Sequence, residues 1–184
     1  NTKKRELQKI AKSVAILFQS SYDQVYNLTV KKELLFSLSD LKLGKKETQN
    51  RLTEVLELVE LDETYLEKNT FELSQSELRK VAIASVIIRM PDLLLLDEPT
   101  SGLDIANKKV LINLLKKLKR EKNMTIIFSC SDMDFVNKVA DQVVVMKMGQ
   151  IILNGDKKSV FKEEKYLTDN GINTPKVVSF ENLV

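Results

Sequence analysis

The sequence contains no histidine, which excludes imidazole-based catalysis or metal ligation within the chain. Its one cysteine, Cys130, excludes an internal disulfide and fits a reducing compartment. Five glycines in 184 residues leave little material for a loop that wraps a phosphate, since such loops need backbone that approaches the anion closely. No apolar run reaches the length of a membrane-spanning helix, and no stretch reads as a signal peptide. Neither sign of charge dominates: 29 Lys+Arg stand against 26 Asp+Glu, a net charge of +3. The lysine pairs Lys31-Lys32, Lys45-Lys46, Lys116-Lys117 and Lys157-Lys158 have acidic residues scattered among them. That is the pattern of solvated faces, not of a basic stripe, and nucleic acid is not an expected partner.

What is present suffices for a sizeable core, with hydrophobic residues at 43%. Val14-Ala15-Ile16-Leu17-Phe18 reads as a buried strand ending at Gln19, followed by a polar turn to Asn27. Leu52, Val55, Leu56 and Val59 repeat at helical spacing within residues 46–61 and predict an amphipathic helix. Residues 74–90 form a second helix, stopped by Pro91. Leu93-Leu94-Leu95-Leu96 is too short for a helix and lies between two prolines, so it predicts a strand buried on both faces. A helix over 107–120, a buried strand over 125–128 and a helix over 132–140 with Asp132 as its cap follow. Two runs, 143–146 and 151–153, joined through Met148-Gly149, predict a hairpin. From Asp156 we expect one short helix and a loose end. Strands alternating with helices imply a largely parallel α/β sheet. The mostly helical stretch from Lys31 to Thr70 interrupts that alternation as an inserted subdomain.

Two places carry chemistry. Leu93-Leu94-Leu95-Leu96-Asp97-Glu98-Pro99-Thr100 puts two carboxylates at the carboxyl edge of a sheet, where α/β proteins bind ligands. The first acid suits a Mg²⁺ ion, the second the polarising of a water. Alone, the pattern fits an acidic turn equally well. The second place is Ser74-Gln75-Ser76-Glu77, which has the form of a capping box and also of a helix start that could face a phosphate.

The order of features resembles the nucleotide-binding domain of ABC transporters. Phe18-Gln19 matches that family's Q-loop and Leu73-Ser74-Gln75-Ser76-Glu77 its LSGGQ signature. The run from Leu93 to Thr100 matches the Walker B strand, and Ser101-Gly102-Leu103-Asp104 the D-loop. The second glutamine, Gln24, and the tail around Gly171-Ile172-Asn173-Thr174-Pro175 are similar to energy-coupling-factor ATPases. The resemblance implies a P-loop-NTPase-like sheet flanked by helices. Its parts are a core remnant with the Q-loop (1–30), a helical subdomain (31–72), the signature, Walker B, D-loop and switch region (73–155), and a carboxyl extension (156–184).

The resemblance also implies ATP and Mg²⁺ as cofactors, with Glu98 catalytic. Gln19, Ser74, Ser76, Asp97 and Ser131 would contact nucleotide, and Gln19 and Asp97 the Mg²⁺. Ser74, Gln75, Ser76, Glu77 and Asp104 would lie at a dimer face. The expected partners are a second ATP-binding subunit, in a homo- or heterodimer, and a transmembrane coupling protein that meets the loop after Gln19. The expected place is the cytoplasmic face of the membrane. The expected function is that of an ATPase subunit of a vitamin or metal-ion importer. A non-catalytic interaction subunit and a soluble ABC-type ATPase are the alternatives.

Four departures qualify this. No Gly-x-x-x-x-Gly-Lys-Ser/Thr loop exists, and Leu43-Gly44-Lys45-Lys46-Glu47-Thr48 reads as a plain helix start. Together with Asn1 at the first position, this sets the expectation of a missing N-terminal portion and of weak ATP binding by the chain alone. Gln75 and Ser76 replace two glycines. Glu77 replaces a glutamine and supports the helix while repelling a phosphate. Ser131 stands where the family has its switch histidine, so weak hydrolysis is expected at the site containing Glu98.

Overall fold

Three short apolar runs become the strands β1 (Val14–Leu17), β2 (Leu93–Asp97) and β3 (Thr125–Ser129). They pair in parallel in the order β1-β2-β3, with Ala15 opposite Leu94 and Asp97 opposite Ser129. The computed structural model describes Ile10 and residues 13–176. The chain divides into two compact units, residues 1–129 and 130–184.

In the first unit the strands are linked by α1 (Val30–Leu38), α2 (Lys45–Leu58), the 3-10 turns Glu63–Glu67 and Thr70–Glu72, α3 (Gln75–Ile87) and α4 (Ile105–Lys122). Each helix start has a local cause. Thr29 caps α1 through Lys32 N, and Asp104 caps α4 through Asn107 N. Gly44 begins α2 with no side-chain cap, the plain start its sequence predicts. Asn123, in the left-handed region with φ +50, ends α4 behind a basic last turn. α3 is the centre of the core. Residues 81–88 are buried without a break, and small Ala82, Ala84 and Ser85 let the helix pack against α1, α2 and β1.

The sheet corrects one expectation. β1, β2 and β3 alternate instead of being buried on both faces. Ala15, Leu17, Leu94 and Leu96 are buried, whereas Ile16 is 46% and Ile127 57% exposed. α3 packs against β1 and α4 against β3, and alternate residues of the pleat stay open.

The second unit holds α5 (Met133–Val139), the antiparallel pair β4 (Gln142–Lys147) and β5 (Gln150–Asp156), α6 (Lys157–Lys162) and α7 (Glu164–Asp169). Asp132 caps α5, and Gly149 with φ +76 closes the predicted hairpin. Two short helices follow Asp156 where one was expected. Asp156 caps the first through Lys158 N and Ser159 N, and Glu163 separates it from the second. The expected loose end beyond residue 176 lies outside the described residues.

Candidate functional site

Parallel register sets the first part of the site. Asp97 closes β2 level with Ser129 at the end of β3. Ser129 Oγ donates to Asp97 Oδ1 at 2.6 Å and accepts from Glu98 N at 3.0 Å. One hydroxyl thus fixes the carboxylate of the first acid and the backbone of the second, while Asp97 stays exposed at the carboxyl edge. Glu98 has φ +41, a conformation that costs a non-glycine residue about 1–3 kcal/mol and recurs at functional sites.

The turn after β1 faces this edge. Gln24 clamps it, accepting from Phe18 N at 2.9 Å and donating to Ile16 O at 3.1 Å. Gln19 is exposed. A cavity of about 610 Å³ opens here, lined by Gln19, Tyr22, Gln75, Arg79, Asp97 and Ser101 among others. A carboxylate and an amide therefore line one space. Among the described residues no group of three or more acidic or cysteine side chains converges. A cation here would have Asp97 as its carboxylate ligand and Gln19 as a further oxygen donor, a sparse protein set that would suit Mg²⁺.

The start of α3 is the second part. The capping box is complete: Ser74 Oγ accepts from Glu77 N at 3.3 Å, and Ser74 N donates to Glu77 Oε2 at 2.9 Å. Ser74 Oγ also donates to Glu77 Oε2 at 2.6 Å, and Tyr65 Oη donates to Glu77 Oε1 at 2.5 Å. Lys68 stacks 3.4 Å from the Tyr65 ring centre, with its Nζ 3.9 Å from Glu77 Oε1. The Ser74 hydroxyl, then the Tyr65 hydroxyl and the Ser74 amide, hold the Glu77 carboxyl down to about 2 from its ordinary 4.5. Ser74 and Gln75 face solvent, and Ser76 and Glu77 are half-buried. The Gln75 side chain folds onto Gly102, where an added Cβ would stand 2.6 Å from its Nε2. With φ +73 as well, position 102 accepts only glycine without rearrangement.

Asp104 is exposed and serves as the α4 cap, its Oδ1 accepting from Asn107 N at 2.7 Å. Ser131 lies in the other unit, exposed, one residue before the α5 cap Asp132.

The sequence profile of the ABC transporter family matches residues 1–101. The chain belongs to that family. It is 37% identical over 184 residues to the energy-coupling factor transporter ATP-binding protein EcfA2 of Enterococcus faecalis, covering 100% of this chain and 64% of that protein. The chain thus spans just under two thirds of the length of the curated relatives it matches. Among solved structures, cbiO1 from Clostridium perfringens, part of the ABC transporter complex cbiONQ, superposes with a TM-score of 0.81. The identity is 31%, over 99% of this chain and 72% of that one. The dimeric post-hydrolysis state of the ATP-binding cassette MJ0796, bound to ADP and Pi, gives 0.74 at 25% identity, over 84% and 67%. These likenesses bear out the expected nucleotide-binding α/β fold and the resemblance to energy-coupling-factor ATPases.

As an ABC cassette, the chain brings Gln19, Gln75 and Asp97 around one cavity and gathers Ser74, Ser76 and Glu77 at one helix start. Three residues escaped the reading of the sequence. Ser129 shows its role only through strand register, and Tyr65 only through the return of its 3-10 turn to α3. Arg79 did leave a signal: it occupies the stripe shared by Ala82, Ile83 and Val86, where an apolar residue belongs.

Proposed function

We propose that this chain is an ATP-binding subunit of an energy-coupling-factor importer, coupling ATP binding and hydrolysis to uptake of a vitamin or metal ion. The observation that carries the reading is the exposed Asp97, fixed by Ser129 beside the cavity that Gln19 also lines. ATP supplies the phosphoanhydride bond whose cleavage drives transport. Asp97 would hold Mg²⁺, with Gln19 as a further oxygen donor, and Glu98 would orient the attacking water as its general base. The exposed start of α3, with Ser74 and Ser76, faces the nucleotide of a second ATP-binding subunit, and Asp104 lies at that seam. Tyr22, Tyr26, Leu28 and Phe71, between 54% and 70% exposed, offer a transmembrane coupling protein an apolar landing beside the Q-loop. No described helix is long and apolar enough to cross a membrane, which fits a peripheral place on its cytoplasmic face.

A second reading, a non-catalytic interaction subunit of the same complex, is favoured by one observation. Glu77 already engages the Ser74 hydroxyl and amide that would otherwise face a phosphate. Steady-state hydrolysis by the full-length chain with its second ATP-binding subunit separates the two. Ser131→His raises the rate on the order of 10²-fold if a histidine at that position supplies the transition-state donor that Ser131 does not. No gain overturns the degenerate-ATPase reading, and ATP-dependent association with no turnover in either form supports the interaction subunit.

A further inference from the structure

Arg79 is 2% exposed and sits on a stripe of α3 whose other members, Ala82, Ile83 and Val86, are buried and apolar. Its guanidinium divides its hydrogen bonds between two segments. Nη1 donates to the carbonyls of Phe18 at 2.8 Å and Gln19 at 3.0 Å, and to Ser21 Oγ at 3.5 Å. Nη2 donates to the carbonyls of Glu98 at 3.2 Å and Asp97 at 3.5 Å. The first group belongs to the turn that bears Gln19, the second to the acid edge. Nε is buried with no partner, and burial depresses the guanidinium's pKa while the charge of Asp97 works against that. Its acceptors are four backbone carbonyls and one hydroxyl, so only the geometry of those bonds offsets the desolvation of the charge. Keeping a desolvated charge here makes sense if the geometry it imposes is what matters.

We propose that Arg79 is a positioning residue that ties the Q-loop turn to the backbone of Asp97 and Glu98, so that the two segments keep one register and move together. The planar fork suits this, because its donors diverge at fixed angles, whereas a lysine is a single point of charge. Glu98, held in the left-handed region, is then gripped from two sides: Ser129 Oγ at its N–H and Arg79 Nη2 at its carbonyl. A push on the exposed Tyr22 loop reaches the peptide of Glu98 through one side chain. The kinetic consequence rests on the proposed ATPase reading; the mechanical link does not.

Hydrogen–deuterium exchange on the full-length chain with its second ATP-binding subunit tests the link. The readouts are the bonded amides of Phe18, Gln24 and Val25 on one side and of Glu98 and Ser101 on the other. Arg79→Met speeds exchange in both sets by about tenfold or more while the amides of α1 and α2 hold. Arg79→Lys, which keeps the charge but not the fork, restores one set at most and carries the same readout if the methionine variant does not fold. In the same complex kcat falls by about tenfold while KM for ATP stays within about threefold. Loosening of neither set, of one set alone in Arg79→Met, or of the whole unit overturns the brace. So does full restoration of both sets by lysine. A wild-type complex that binds but never hydrolyses ATP sinks the ATPase reading and leaves the exchange result to judge the brace.

Discussion

The acid edge and the start of α3 both present a carboxylate beside a serine, and they spend it in opposite ways. At the edge, Ser129 touches one oxygen of Asp97 and leaves the group exposed beside a cavity. At the helix start, Ser74 and Tyr65 engage both oxygens of Glu77, and the Ser74 hydroxyl donates to that carboxylate. The same chemistry therefore gives a braced but available ligand in one place and a self-satisfied cap in the other. A serine–carboxylate pair is a poor guide to function until the remaining lone pairs are traced.

Three changes sharpen or break that contrast. The largest effect is expected at the edge. Ser129→Ala removes the partner that orients Asp97, and Mg²⁺-dependent nucleotide binding by the full-length complex weakens about 10–100-fold. Unchanged Mg²⁺ dependence would mean that the brace has no bearing on the metal. At the helix start the combined change Gln75→Gly, Ser76→Gly and Glu77→Gln removes the internal anion and opens the backbone. ATP-dependent association with the second subunit tightens by about tenfold, read by sedimentation; no tightening removes the distinction between the two places. The smallest effect is thermodynamic. Glu77 has its carboxyl held to about 2, below the ordinary 4.5, so its contribution is complete above pH 4.5 and disappears as pH falls towards 2. Glu77→Gln costs about 1 kcal/mol near neutrality, and the gap from wild type in denaturant titrations closes across that acidic window. A gap that stays undiminished from neutrality down to pH 2 rules out the carboxylate as its source.

Local patterns were legible because they are written in neighbouring residues. Four leucines ending on Asp97, the Ser74/Glu77 spacing, Gly44 before α2 and Met148-Gly149 in the hairpin each fix their own geometry. The exposed side of Ile16 and Ile127 was not legible, since burial depends on which layer covers a pleat and not on the apolarity of the strand. The left-handed Glu98 and the Ser129 bridge arise only when β2 and β3 align at Asp97 and Ser129. Arg79 lay in plain view inside an apolar stretch, but its partners are up to 61 positions away in the chain.

The amide of Gln75 rests against Gly102, so the start of α3 and the turn before α4 touch at this point. The contact itself is soft, because the amide is the far end of an exposed, flexible side chain. What holds position 102 to glycine is its backbone, at φ +73. In descendants of this chain residue 75 is therefore open to change in size, while a larger residue at 102 stays strained whatever stands at 75.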